Sequence, residues 1–275
     1  MTMLKKHEPD PFARQELSKP LSAELLMQLK VSVIATIALA VIVSGIYPVI
    51  VWGLAQAIFP DKANGSLIGK HGQPAPRPED AVGSAWIGQN FSDAKYFHPR
   101  PSAAGNGYDP TASGGSNLGP MSAKLFNGTT KKNDKGNDVA DFDGLRVRIV
   151  HYCLDNEIPY ESSPPLAKFN NTRGNLDDVK LIKVLNENDA ALVFMPKVPI
   201  PGDAVTASAS GLDPHISVEN AMLQANRVAK ARRMAEDKVK QLIDQFTEGP
   251  DLGVLGEKGV NVLRLNLALD SAPIK

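Results

Sequence analysis

The 275-residue sequence has one cysteine, Cys153, which excludes an intramolecular disulfide and any thiolate zinc cluster. It has no excess charge of either sign, because 30 Lys and Arg stand against 30 Asp and Glu. Without a basic field there is nothing to hold nucleic acid or an anionic surface. The five histidines, at 7, 71, 98, 151 and 215, show no metal-ligand spacing. No Gly-x-Ser-x-Gly elbow raises a nucleophilic serine. The stretch Gly65–His71 falls one residue short of a phosphate loop and lacks its magnesium-binding Ser or Thr. Asn64, Asn90, Asn127 and Asn170 head glycosylation sequons, a pattern short enough to arise by accident.

Charge is missing altogether from Val31 to Pro60, thirty residues between Lys30 and Asp61. A bilayer core about 30 Å thick needs roughly 20 apolar helical residues, so this run is long enough to cross one. It is about twice a 7–15-residue secretory h-region and follows a 30-residue charged tail, which argues against a cleavable signal peptide. The expectation is one membrane anchor over 31–60. The bases Lys5, Lys6, Arg14, Lys19 and Lys30 outnumber the acids of the tail by one, so the positive-inside bias is weak. A short tail ahead of a 215-residue domain favours a cytoplasmic 1–30 and an extracytoplasmic 61–275. Within the span Ser32, Thr36, Ala40 and Ser44 recur every fourth residue, beside Gly45, and form a small-residue face suited to close helix packing. Pro48 removes a backbone donor and is expected to kink the helix. No ionisable side chain lies in the span, so this helix offers no ion or proton site. Any transport role would be that of a subunit.

Beyond the span, residues 61–125 are rich in Gly, Pro, Ser and Asn, with short apolar pieces at 66–69, 85–88 and 95–99 that read as brief strands. Residues 126–196 read as an inserted lobe with polar, Asn-rich loops; disorder is conceivable only over 127–140. Within the lobe Leu145–Ile149 alternates apolar and basic residues and is expected to be a strand, as is Ala191–Met195. Ser217 is the expected N-cap of a helical region carrying Val218, Met222, Ala225, Val228 and Ala229 on one face. The apolar set that follows, up to Gly249-Pro250, continues this helix or forms a second one after a break near Arg233. From Val262 the alternation of Leu263, Leu265, Leu267 and Leu269 predicts a strand. Helices on one side of a small sheet make an α+β domain, here an extracytoplasmic one anchored by a single N-terminal transmembrane helix.

Two segments stand out. One runs from Tyr96-Phe97-His98-Pro99-Arg100-Pro101-Ser102 through Gly107-Tyr108-Asp109-Pro110-Thr111-Ala112-Ser113 to Pro120. The other is Val205-Thr206-Ala207-Ser208-Ala209-Ser210-Gly211-Leu212-Asp213-Pro214-His215-Ile216-Ser217. Both carry Thr-Ala-Ser and Gly-x-Asp-Pro, the chemistry of stiff, hydrogen-bonded turns. They are read first as structural and second as polar contacts for a partner.

With Tyr47-Pro48, Asn64–Ile68, Gly83–Gln89, Arg227–Arg232 and Val262–Asp270, these segments closely resemble the C subunit of the Kdp-type potassium-transporting ATPases of bacteria, over about 31–125 and 197–275. Residues 126–196 depart from the resemblance, and the tail is longer than usual. Asp134-Lys135-Gly136-Asn137 lacks both threonines of the phosphorylated motif of P-type pumps. The resemblance implies a non-catalytic accessory subunit of an inner-membrane, ATP-driven, high-affinity potassium uptake complex. Its implied partners are a channel-like potassium-binding subunit, a P-type ATP-hydrolysing subunit and often a small single-helix peptide, with membrane lipid around the anchor. It also implies a catalytic-chaperone role that raises the pump subunit's affinity for ATP. No cofactor of this chain's own is expected: ATP would act through the pump subunit. Were nucleotide contacted directly, Thr206, Ser208, Ser210 and Gly211 would meet it.

Overall fold

The structure is a computed structural model that describes residues 21–250 and 252–272. The first twenty residues of the expected cytoplasmic tail lie outside it. The chain divides into two units, 1–64 and 65–275.

In the first unit one helix runs from α1 (Leu21–Ala40) through a π turn (Val41–Ile46) into α2 (Tyr47–Ile58). Its stretch Ala23–Ile58 is 36 residues long. At about 1.5 Å per residue it reaches ~54 Å, against about 30 Å of hydrocarbon. Its large apolar side chains are exposed all round. A water-facing helix of this length would need a polar side, and this one has none. Among the described residues it is the one helix long and apolar enough to cross a membrane. At the expected kink stands the π turn, where the Tyr47 N–H donates to the Ile42 carbonyl. Pro48 has no N–H, and its ring would crowd the carbonyl four residues back; widening the preceding turn relieves that conflict. The helix leaves helical geometry at Phe59 (φ −136°), immediately before Pro60 opens the short α3 (Pro60–Ala63).

The second unit begins with an antiparallel pair, β1 (Leu67–Gly69) and β2 (Ala81–Ser84). Irregular chain then leads to α4 (Ala123–Asn127) and the hairpin β3 (Thr129–Lys132) and β4 (Asp138–Phe142). There follow α5 (Leu145–Asp155), β5 (Tyr160–Ser163), α6 (Asp178–Glu187) and β6 (Val193–Pro196), with β5 and β6 paired antiparallel. The C-terminal part holds α7 (Gly202–Val205), β7 (His215–Ile216), α8 (Val218–Arg232), α9 (Glu236–Gln245), β8 (Thr247–Glu248), β9 (Gly259–Asn261) and α10 (Val262–Ser271). Strand β9 is central to a three-stranded antiparallel sheet of order β7-β9-β8. The architecture is α+β.

There are two main cores. Ile216 and Val260 of the sheet pack with Ala221, Ala225 and Val228 of α8, Val239 and Ile243 of α9, Leu265 and Leu269 of α10, and Phe97. Residues 126–196 have their own, in which Val147 and Val150 of α5 meet Leu181, Ile182 and Leu185 of α6 with Leu166, Phe169 and Leu192. Segment 127–140 is ordered as the β3–β4 hairpin, with Asp134–Gly136 in its turn, where the Asn133 side chain accepts from the N–H groups of Lys135 and Asn137.

Three expected elements differ. Leu145–Ile149 is the start of α5: Val147, Val150 and Cys153 are the buried positions, a three-residue spacing visible only past Ile149. Val262–Leu269 is α10, not a strand. Its leucine alternation also satisfies helical spacing, since Val262, Leu265 and Leu269 bury one face, and Asn261 caps the first turn by accepting from the Arg264 N–H at 3.1 Å. The pieces 85–88 and 95–99 form no strand. Ser217 does cap α8, accepting from the Asn220 N–H, and the break falls at Arg233, in the left-handed conformation at φ 54°.

Candidate functional site

The two outstanding segments, nearly a hundred residues apart in sequence, are laced together in space. Ser102 Oγ donates to the Gly211 carbonyl at 2.6 Å, and the Gly114 N–H and Ser113 Oγ both donate to the Ser210 carbonyl. The Arg100 guanidinium pairs with Asp213 at 2.8 Å, and the Gly88 N–H donates to the Leu212 carbonyl. Gly211 sits at φ +67°, and a Cβ there would lie 2.7 Å from the Ala104 nitrogen and the Gly114 oxygen. Only glycine permits that approach. Outward from this seam Thr111, Ala112, Ser113, Ala209 and Ser210 are exposed, forming one strip of small residues on a stiff base.

Thr206, Ser208, Ser210 and Gly211 are thus brought together, but their groups are turned to local use. Thr206 Oγ1 donates to the Gly202 carbonyl, Ser208 and Ser210 face each other at 3.4 Å, and Ser210 Oγ accepts from the Leu212 N–H. None of the four lines the main cleft of this unit.

That cleft, about 600 Å³, lies between His98, Arg100 and Tyr108 on one side and Arg148, His151, Tyr152 and Asp155 on the other. Gln224 of α8 also lines it, one of a row of polar side chains that composition did not reveal. Asn220, Gln224 and Arg227, at helical spacing, are all buried. Gln224 accepts from the His98 N–H at 2.7 Å and donates to the His98 carbonyl at 3.1 Å. From α10, Asn266 does the same for Phe97, at 2.9 and 3.0 Å. Two side-chain amides therefore supply the pairing that a neighbouring strand would have given. Arg227 Nη1 donates to the carbonyls of Ala94 and Tyr96, its Nε to Asn156 Oδ1 and its Nη2 to Gln224 Oε1. Asn220 accepts from the Tyr152 hydroxyl at 2.7 Å and donates to Asp203, which also receives the N–H and hydroxyl of Ser217. The row joins the first motif segment, α5 and the α8 cap in one network. A sequence signal existed: polar residues at i, i+4 and i+7 on a helix with an apolar face beside them.

Electrostatically the cleft is mixed. Burial, then the neighbouring Arg227, holds His98 below the ordinary histidine value, whereas the hydrogen bond from His151 to Asp178, 2.7 Å long, raises His151. Burial raises the Tyr108 and Tyr152 phenols, so both stay protonated donors at neutral pH. Among the described residues no group of three or more His, Cys, Asp or Glu side chains is arranged to hold a metal. Gly65–Gly69 enters β1 rather than opening a helix, so it lacks the helix N-terminus of a phosphate loop.

On the long apolar helix, Ala40 and Ser44 border a shallow, almost wholly apolar groove at the π turn, with Ile37, Val41, Gly45 and Val49. Ser32 and Thr36 lie outside it.

The family model described as KdpC: K+-transporting ATPase, c chain matches residues 29–143 and 170–271. The chain belongs to the KdpC family. It is similar to the potassium-transporting ATPase KdpC subunit of Mycobacterium tuberculosis, 41% identical over 230 residues, covering 84% of this chain and 90% of that one. With the KdpC subunit of Nitratidesulfovibrio vulgaris it shares 40% identity over 248 residues, 90% of this chain and 95% of the relative. With that of Myxococcus xanthus it shares 42% over 236 residues, 86% and 84%. Both outstanding segments and the α8 row fall inside the matched residues. The stretch passed over, 144–169, holds α5 and β5.

Proposed function

We propose that this chain is the non-catalytic accessory subunit of an ATP-driven, high-affinity potassium uptake complex in the bacterial inner membrane. Its partners are a channel-like potassium-binding subunit, a P-type ATP-hydrolysing subunit and a small single-helix peptide. The helix within 31–60 anchors it, with 1–30 in the cytoplasm and 61–275, including the 126–196 lobe, on the extracytoplasmic side. The observation that carries this reading is family membership over most of the chain, joined to a long helix whose apolar side chains are all exposed. Such a helix needs lipid or neighbouring helices around it, and the small-residue row Ser32, Thr36, Ala40 and Ser44 suits a helix of the channel-like subunit.

In this reading the subunit is needed for assembly and activity and raises the pump subunit's affinity for ATP as a catalytic chaperone. From the far side of the membrane that effect passes through the pump's conformation, so the coupling is reciprocal. If the subunit tightens ATP binding by some factor, ATP tightens attachment of the subunit by the same factor. Direct nucleotide contact would fall to Thr206, Ser208, Ser210 and Gly211. Their hydroxyls close local turns, which favours the strip as a partner contact instead.

The test measures binding of this chain to the purified remaining subunits with and without ATP, alongside ATP affinity with and without the chain. The two factors should agree, and replacing Thr206, Ser208 and Ser210 by alanine should leave ATP affinity unchanged. ATP affinity unchanged by the chain, with attachment equally indifferent to ATP, would overturn the chaperone role, and loss of ATP affinity in the alanine variant would establish direct contact.

A further inference from the structure

The 65–275 unit carries a group of apolar side chains that neither core uses. In the loop between β8 and β9, Leu252 is 90% exposed, Val254 80% and Leu255 60%. Trp86, in the turn after β2, is 58% exposed and borders the same depression as Leu255. Between Asp251 and Glu257 the loop has no charge, and Glu257 is followed at once by Lys258. These side chains offer apolar surface for burial, beside a depression whose other lining includes Arg100, Glu248 and Lys258.

The chain itself restricts where Trp86 can be. Its indole N–H donates to Ser66 Oγ at 2.8 Å, the Ala85 N–H donates to the Ser66 carbonyl, and Ser84 Oγ donates to the Gly65 carbonyl. Ser66 is eight residues after Ile58, the last residue of α2. Eight residues reach at most about 28 Å however they are folded. A tryptophan and three aliphatic side chains, exposed on the turn after β2 and on the β8–β9 loop and tethered this closely to an apolar helix, have the composition of a membrane-boundary contact.

We propose that Trp86, Leu252, Val254 and Leu255 form a bilayer-contact patch that enters the boundary between headgroups and acyl chains, taking zwitterionic phospholipid of the membrane that holds the helix. The proposal rests on the anchor reading, and the sequence supplies a means of separating the two. The chain has two tryptophans, Trp52 in α2 and Trp86 in the patch.

The full chain is reconstituted into phosphatidylcholine vesicles with and without bromine near the headgroup end of the acyl chains. Trp52→Phe leaves Trp86 as the reporter, and Trp86→Phe leaves Trp52. A patch buried ~5–10 Å into the boundary should have its Trp86 emission quenched about twofold. Adding Leu252→Asp, Val254→Asp and Leu255→Asp to the Trp52→Phe chain should abolish that quenching, and their exposure makes these substitutions compatible with folding. Quenched Trp52 with unquenched Trp86 overturns the patch and leaves the anchor standing. If neither is quenched, the anchor reading fails. Quenching of Trp86 that survives the three aspartates also overturns the proposal. Should Trp86 stay unquenched while the aspartates abolish co-purification with the other pump subunits, the patch is a protein contact.

Discussion

Arg227 is a buried cation with no carboxylate among its hydrogen-bond partners, which are the carbonyls of Ala94 and Tyr96, the side-chain amides of Gln224 and Asn156, and the His98 ring nitrogen. An isolated charge in an apolar interior is very costly, so donation from all three of its nitrogens is the condition on which it is tolerated. Its neighbour His98 and the more distant His151 respond to pH in opposite directions. His151 is raised above 6.5 by its bond to Asp178, so the stability it contributes is fully present below pH 6.5 and is lost as pH rises through the folded value. His98 is held below 6.5 by burial and Arg227, so stability is lost as pH falls from 6.5 through its folded value. From these two groups stability peaks near 6.5. In Asp178→Asn the decline above that point should disappear while the decline below it remains. Denaturation midpoints of the detergent-solubilised chain between about pH 5 and 8 check this; unchanged slopes in the variant would refute the assignment to His151.

At the scale of elements, the helix α5 stands out, because it belongs to the lobe yet fastens it to α8. Tyr152 reaches Asn220, Asn156 reaches Arg227, and Glu157 pairs with Lys230. Replacing 126–196 by a short linker should leave co-purification with the pump intact, yet lower stability by about 1–3 kcal/mol, because Arg227 keeps a buried donor without a partner. Asn156→Ala in the full chain should reproduce most of that loss. Chemical denaturation of both variants is the measurement, and loss of the shortened chain from the complex would make the lobe part of the interface. Helix α5 also marks where local pattern fails. Its first five residues alternate like a strand, and α10 does so over eight, because leucines and valines spaced by two also include pairs spaced by four. The cap at Asn261 and the buried spacing of Val147, Val150 and Cys153 were the deciding signals. By contrast α8 was legible from its Ser217 cap and apolar face, and α9 from its apolar face. The candidate site was half legible: both turn-rich segments stood out as sequence, but their attachment to Gln224, Arg227 and Asn266 depends on partners more than a hundred residues away.

For the whole molecule the open question is which side of the membrane holds the second unit, and the single cysteine makes it easy to ask. Cys153 is buried, and burial pushes its thiol up to about 11, so it is neither accessible nor a thiolate at neutral pH. Introduced cysteines can then be read without removing it. Met121 is 94% exposed. A membrane-impermeant maleimide applied to intact spheroplasts should label Met121→Cys and miss Lys5→Cys; the reverse pattern would invert the orientation proposed above.

The pairing of Phe97 and His98 with the amides of Asn266 and Gln224 has a consequence for recognition. Segment 94–98 has no strand partner, but each end of its hydrogen bonding is fixed by a side chain rooted in a helix of the main core. The loop that follows is laced to 208–213 in turn. A surface loop of this length would ordinarily have to surrender its conformational freedom when a partner arrives, at a cost of about 0.5–1.5 kcal/mol for each rotamer-rich side chain immobilised. Here that freedom is already gone in the unbound chain, so contact with the strip made by these segments can be both small in area and specific in orientation.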